Sequence, residues 1–213
     1  MIMDQKSEES HELYNTLLHI SLCHSVVIDE RKKNKLPDVK KSLDEKVEKA
    51  RKGTDKEFLK KMEALRAEKL DELEKGVYNS ASPDEIALIL GAKLYGFEFT
   101  GLDGDNVLHV MDPLGKEQKF KLLNTLEFNS ARKRMSVIIE NVETQEIKIL
   151  TKGADSVVLP FISQDSSDEK KKVENVYKII NKNAAEGLRT LVLTEKVLSK
   201  SEWEEFNRRF NDA

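Results

Sequence analysis

Four short segments hold the residue types that could do chemistry. They are Ser82-Pro83-Asp84-Glu85, the run Phe128 to Met135 (Phe-Asn-Ser-Ala-Arg-Lys-Arg-Met), Lys152-Gly153-Ala154-Asp155, and Gly187-Leu188-Arg189-Thr190-Leu191. The set suits binding more than bond breaking. Phe128 offers a flat apolar face on which a base can stack, worth roughly 1–3 kcal/mol without exact hydrogen bonding. Glu85 offers an acceptor for an exocyclic amine, and Lys152, Lys133 and Arg189 offer cations for phosphate, with Gly153 and Ala154 allowing close approach to the backbone. Together they are groups that a nucleotide could use, and no one of them identifies a ligand by itself. Each residue also has an ordinary structural reading: Phe128 as a core side chain of a strand over 122–128, Glu85 as the third helical residue of a capping box on Ser82, Lys152 as a surface lysine and Arg189 as half of a surface ion pair. Arg132-Lys133-Arg134 reads as a basic run on a strand, which puts Lys133 on the face opposite its neighbours.

The familiar phosphate loops are absent. No G-x-x-x-x-G-K-[ST] or dinucleotide fingerprint occurs, and Gly115-Lys116 is followed by Glu117, which has no metal-binding hydroxyl. Gly101 to Asn106 lacks the later ligands of a calcium loop and reads as a hairpin turn.

The elements that must position these residues follow from periodicity. Residues 10–24 predict a helix, and Val26-Val27-Ile28 a short strand. From Arg31 to Lys75, 27 of 45 residues are charged, 16 basic and 11 acidic. Apolar residues there thin to a helical stripe through Leu43, Val47, Ala50, Phe58, Met62, Leu65 and Leu73. This segment predicts an inserted helical hairpin broken near Gly53-Thr54. Its five excess positive charges would suit an anionic membrane surface or a partner as well as plain solvation. The main core resumes at Gly76. Ser82-Pro83 opens a helix that ends at Gly96. Strands are expected at 97–100, 107–111, 120–127, 135–139 and 147–151, then helices at about 155–161, 167–186 and 199–211, with capping boxes at Ser166/Glu169 and Ser199/Glu202 and one strand at 188–194. The fold class is α+β, a mainly antiparallel β-sheet flanked by helices, with the charged helical insertion. The domain division read from this is 10–30 with 76–213 as the binding domain, and 31–75 as the arm.

Composition narrows the field. The chain has 213 residues and 38% apolar content, enough for a core. No apolar run approaches the roughly 18–20 residues that cross a bilayer, and no signal peptide is visible at the start, so a soluble chain is expected. A net charge of -3 argues against nucleic acid as a partner. One cysteine, Cys23, and four scattered histidines give no zinc-type spacing, so no metal site and no catalytic residue are expected.

The order of the four segments resembles the nucleotide-binding domain of P-type ATPases, and their phospholipid-transporting (type IV, flippase) branch in particular. Leu22-Cys23-His24-Ser25-Val26-Val27 resembles that branch's Leu-Cys-His-Thr-Val, and Phe128 to Ile138 and Lys152 to Asp155 match it more closely than the cation pumps. The likeness covers about 10–30 and 76–212. It implies that Glu85 contacts adenine, Phe128 stacks on it and Met135 lies near the base. Lys152 with Gly153 would line the pocket, and Lys133 and Arg189 would lie near the phosphates. It further implies ATP as ligand, with Mg2+ entering alongside the nucleotide. The partners implied are the phosphorylation and actuator domains of a parent pump, with a β-subunit of that parent as another. The location implied is the cytosolic face of a membrane, and the isolated domain is expected to be a monomer. The Asp-Lys-Thr-Gly-Thr phosphorylation motif is missing, since Asp55-Lys56 is followed by Glu57. The expectation is therefore a chain that binds ATP, on the order of 0.1–1 mM, and does not hydrolyse it. The alternative is an interaction module of the same fold whose pocket has lapsed and whose arm binds a partner.

Overall fold

The structure is a computed structural model that describes residues 8–53 and 56–212. In chain order the elements are α1 (Glu8–Leu22), β1 (Val27–Ile28), α2 (Glu30–Arg51), α3 (Lys56–Val77), β2 (Tyr78–Asn79) and α4 (Pro83–Leu94). Five strands follow, β3 (Glu98–Leu102), β4 (Val107–Met111), β5 (Glu117–Leu126), β6 (Arg134–Asn141) and β7 (Ile147–Gly153). The chain closes with α5 (Asp155–Val158), a 3₁₀ turn (Leu159–Phe161), α6 (Ser167–Ala185), β8 (Val192–Leu198) and α7 (Lys200–Asn211). Two compact units divide it: 1–24 with 92–213, and 25–91.

In the first unit, β3 to β8 form one six-stranded sheet in sequence order, every neighbouring pair antiparallel. Register sets its faces. Met135, Val137 and Ile139 oppose Lys152, Leu150 and Lys148, so all six point to one side, and Ser136 and Ile138 oppose Thr151 and Ile149 on the other. Helix α1 covers the first side: the Cys23 thiol donates towards the Met135 and Leu150 carbonyls, and His24 packs edge-on against Phe99 at 4.5 Å between centroids. On the second side Val158, Leu159, Ile180 and Val192 form a cluster joined by Ile162 and Val176. Covered on both sides, β6 is buried at every position from Met135 to Ile139, which is why it lacks the apolar-polar alternation of a half-exposed strand.

Both expected capping boxes form. The Ser166 and Ser199 hydroxyls accept from the Glu169 and Glu202 backbone N–H groups, and each glutamate accepts in return from its serine's backbone. Two strand expectations are corrected. The strand expected at 188–194 runs from Val192 to Leu198, because pairing starts only where Val192 meets Gly153 and continues through Glu195 and Lys196 along an edge that tolerates charge. The basic run does not lie on a strand as a whole: β6 begins at Arg134, and Lys133 has a left-handed backbone with φ +50°.

In the second unit, β1 pairs antiparallel with β2, and the Asp29 N–H donates to the Val77 carbonyl at 2.8 Å. Helices α2 and α3 are therefore a hairpin inserted between two paired strands. Asp29 caps α2 by accepting from the Arg31 and Lys32 N–H groups. Val47 and Ala50 are buried on α2, and Arg66 to Asp44 at 2.5 Å and Arg51 to Glu63 at 3.2 Å bridge the two helices. Thr54 and Asp55, at the expected break, lie outside the described residues.

Candidate functional site

The sheet brings most of the singled-out residues to one end of itself. Gly153 is the last residue of β7, and its partners are Arg134, the first residue of β6, and Val192, the first of β8. Phe128 follows the end of β5, where Leu126 opposes Ser136, two residues into β6. Arg189 lies three residues before Val192. It is reached because Gly187, at φ +75°, ends α6 while the Leu188 N–H returns to the Asn183 carbonyl. Phe128, Lys133, Met135, Lys152, Gly153 and Arg189 thus come from two loops and two strands that meet at one end of the sheet.

Their environments differ in ways the sequence left open. Phe128 is 62% exposed, so it is no core phenylalanine. Met135 is 1% exposed and opposes Lys152, which is itself only 8% exposed, so Lys152 is no ordinary surface lysine. Gly153 is required by sterics. A Cβ there would sit 2.6 Å from the Arg134 Cβ and 2.7 Å from the Lys133 carbonyl oxygen, and the adjacent Ala154 N–H donates to that same oxygen at 3.1 Å. Lys133 and Arg189 are exposed.

Behind Lys152, on α1, lies His19, a residue that sequence reading passed over. It is 5% exposed, and its Nε2 has no hydrogen-bond partner among the described residues. Burial first, and the Lys152 ammonium second, push its pKa down to about 4, so the imidazole is neutral at physiological pH. It borders a cleft of about 100 Å³ together with Asn15, Gln118, Asn141, Lys148 and Glu195.

Glu85 belongs to the other unit. It makes no capping box with Ser82. The residue is 7% exposed, and its Oε2 accepts from the Ser25 N–H at 3.1 Å, the Ser25 hydroxyl at 2.7 Å and the Ser80 hydroxyl at 3.0 Å. The Ser82 N–H turns instead to the Ser80 hydroxyl at 3.1 Å. The two Ser25 donors were not legible beforehand, since Ser25 lies 60 residues away. The geometric case for a site therefore rests on the sheet residues.

The sheet end offers one exposed ring, Phe128, and the cations Lys133, Lys152 and Arg189, group types that suit a planar aromatic ligand bearing an anionic tail. Among the described residues no group of three His, Cys, Asp or Glu side chains is placed to hold a metal ion. Nor is any helix among them long and apolar enough to cross a membrane.

Residues 12–212 match the family model described as P-type ATPase, cytoplasmic domain N. The chain is 38% identical over 136 residues to phospholipid-transporting ATPase DRS2 of Saccharomyces cerevisiae, covering 64% of this chain and 10% of that protein. Over 132 residues it is 42% identical to human phospholipid-transporting ATPase VA, covering 59% and 9%. With probable phospholipid-transporting ATPase 11 of Arabidopsis thaliana it shares 37% identity over 140 residues, covering 64% and 11%. The chain spans about a tenth of the length of the curated relatives it matches.

Proposed function

Because the chain belongs to the family of the P-type ATPase cytoplasmic domain N, we propose that it is the ATP-holding domain of a phospholipid-translocating pump, working at the cytosolic face of a membrane. The observation that carries this is the grouping of an exposed aromatic ring with Lys133, Lys152 and Arg189 at one end of the sheet. Phe128 stacks on adenine, and Met135 gives the β6 end an apolar floor. The three cations neutralise the triphosphate, while Gly153 lets the β7 terminus lie flush against the turn at Lys133. Magnesium comes with the nucleotide and is held by its phosphates.

The domain's part in the reaction is to hold and orient. When bound, ATP supplies a γ-phosphoryl group for transfer, and the acceptor aspartate belongs to a phosphorylation domain elsewhere in the parent chain. Cations on one side of the triphosphate leave its other side open to that acceptor, which also keeps affinity modest, on the order of 0.1–1 mM. The phospholipid cargo is inferred from what the relatives' names say of those proteins.

An ATP titration followed by two-dimensional amide NMR tests the reading, with AMP and GTP as comparisons. Saturable shifts at Phe128, Lys152 and Arg189 are expected, and Phe128→Ala should weaken ATP by about 5- to 150-fold, the worth of one stacked base, with little change in melting temperature because the ring is exposed. No shift at several millimolar ATP would refute it and turn attention to the charged hairpin as an interaction module.

A further inference from the structure

The loop that carries Phe128 is tied down on both sides of that residue. Before it, the Glu127 carbonyl accepts from the Arg132 Nη1 at 2.8 Å. After it, the Asn129 Oδ1 accepts from the Arg132 N–H at 2.7 Å, and the Asn129 carbonyl accepts from the Lys133 N–H at 2.8 Å. The far end is pinned to the sheet through the Lys133 carbonyl, which takes the Ala154 N–H. One carbonyl earlier, Arg132 accepts from the Arg134 Nη1 at 3.2 Å, and that guanidinium lies 4.9 Å from the Phe161 ring centroid.

These contacts divide three consecutive cations among three tasks. Arg132 is half-buried and spent on a loop carbonyl, Arg134 is half-buried over an aromatic ring, and of the three only Lys133 is exposed. Burial first, and the Arg134 charge second, lower the Arg132 pKa, yet a guanidinium stays charged in water at any ordinary pH and its bond to a carbonyl is charge-assisted.

Building on the ATP reading above, we propose that Asn129 and Arg132 are positioning residues for the nucleotide: they close 127–133 into a preformed clasp that holds Phe128 outward and ready to stack. Arg132, for all its charge, then has no part in binding phosphate. The physical reason is entropic. An exposed loop carrying a solvated ring must be ordered when ligand binds, and ordering one rotamer-rich side chain and its loop lowers affinity. A clasp made within the free protein meets that cost at folding instead of at binding.

The test uses the full chain and two ligands, ATP and inorganic tripolyphosphate, which has the charge but no base. Asn129→Ala removes the side-chain acceptor, and Arg132→Met keeps the apolar stem while deleting the donors. Both should weaken ATP by about three- to tenfold, the loss expected when a side chain must be immobilised on binding, and leave tripolyphosphate unchanged. Lys133→Met should weaken both ligands. Asn129→Asp retains an oxygen acceptor at the same atom and should restore the free-state amide shifts of 127–133 that Asn129→Ala disturbs. Melting temperatures separate these effects from unfolding. If Arg132→Met weakens tripolyphosphate as much as ATP, Arg132 is a phosphate ligand and the clasp is overturned. If both clasp variants bind ATP normally while Phe128→Ala does not, the clasp fails and the ATP reading stands. An inert Phe128→Ala refutes the ATP reading itself.

Discussion

Replacing Gly153 with alanine probes the joint between β6, β7 and the Lys133 turn. The added Cβ meets the Arg134 Cβ at 2.6 Å, the Lys133 oxygen at 2.7 Å and the Arg134 Cα at 2.9 Å. None of these is the tip of a flexible side chain, so the β6 terminus must move. Overpacking of this kind costs about 1–3 kcal/mol. Moving Lys133 also strains or breaks the bond from the Ala154 N–H, worth about 0.5–1.5 kcal/mol. Alanine returns up to about 1 kcal/mol by stiffening the unfolded chain. The net expectation is a loss of roughly 1–3 kcal/mol, or about 3–10 °C in melting temperature for a domain of this size. Urea and thermal unfolding measure it, with Gly104→Ala as control, since a Cβ at Gly104 meets nothing within 4 Å. ATP affinity should fall too, because the same displacement carries Lys133 and the base of the Phe128 loop with it. A Gly153→Ala protein within about 0.5 kcal/mol of the parent, with unchanged amide shifts at Lys133 and Arg134, would show that the close approach is absent and that the reasoning is wrong.

Other expectations follow from single features. His19 keeps a folded pKa of about 4 against 6.5 when unfolded, so the unfolded chain binds the extra proton. Stability should drop as pH falls from 6.5 towards 4, by on the order of 3 kcal/mol, and equal urea-midpoint losses in His19→Leu would contradict this. His109 lies 3.0 Å from both Asp103 and Glu117, and its pKa is raised chiefly by the Asp103 bond. The stability it adds is full below pH 6.5 and lost as pH rises through the raised folded value. His109→Gln should therefore cost more at about pH 6 than at about pH 9, and a cost independent of pH in denaturant titrations would count against the pairing. The α2–α3 hairpin leaves and rejoins between paired strands, since Ile28 opposes Tyr78. Replacing 31–75 by a short glycine-rich turn should leave the ATP-induced amide shifts in the sheet intact, and their loss would tie the arm to nucleotide binding.

Much of the fold was legible because it is written in short-range chemistry. The capping boxes at Ser166 and Ser199 and the hairpin turn before Val107 depend on residues within a few positions of one another. The charged stripe gave α2 and α3 for the same reason. Errors came where distant partners decide. Glu85 has the spacing of a capping residue, yet Ser25 draws its carboxylate away. Arg132-Lys133-Arg134 reads as strand by composition, yet the Asn129 side chain and the Ala154 N–H hold Arg132 and Lys133 in a turn, and the strand begins only at Arg134.

By itself the sequence determined the kinds of group on offer, an exposed-capable aromatic, small residues beside a lysine and a scatter of cations, together with the helices and strands that carry them. Only the tertiary structure decided where in the fold each of those groups lies. The six-stranded register places the last residues of β5 and β7 and the first residues of β6 and β8 at the same end of the sheet. The same packing buries Lys152 and His19, leaves Phe128 open and assigns Arg132 to a carbonyl. Local chemistry is encoded in a few residues, whereas burial and register depend on the whole sheet closing against α1 on one face and α5 and α6 on the other.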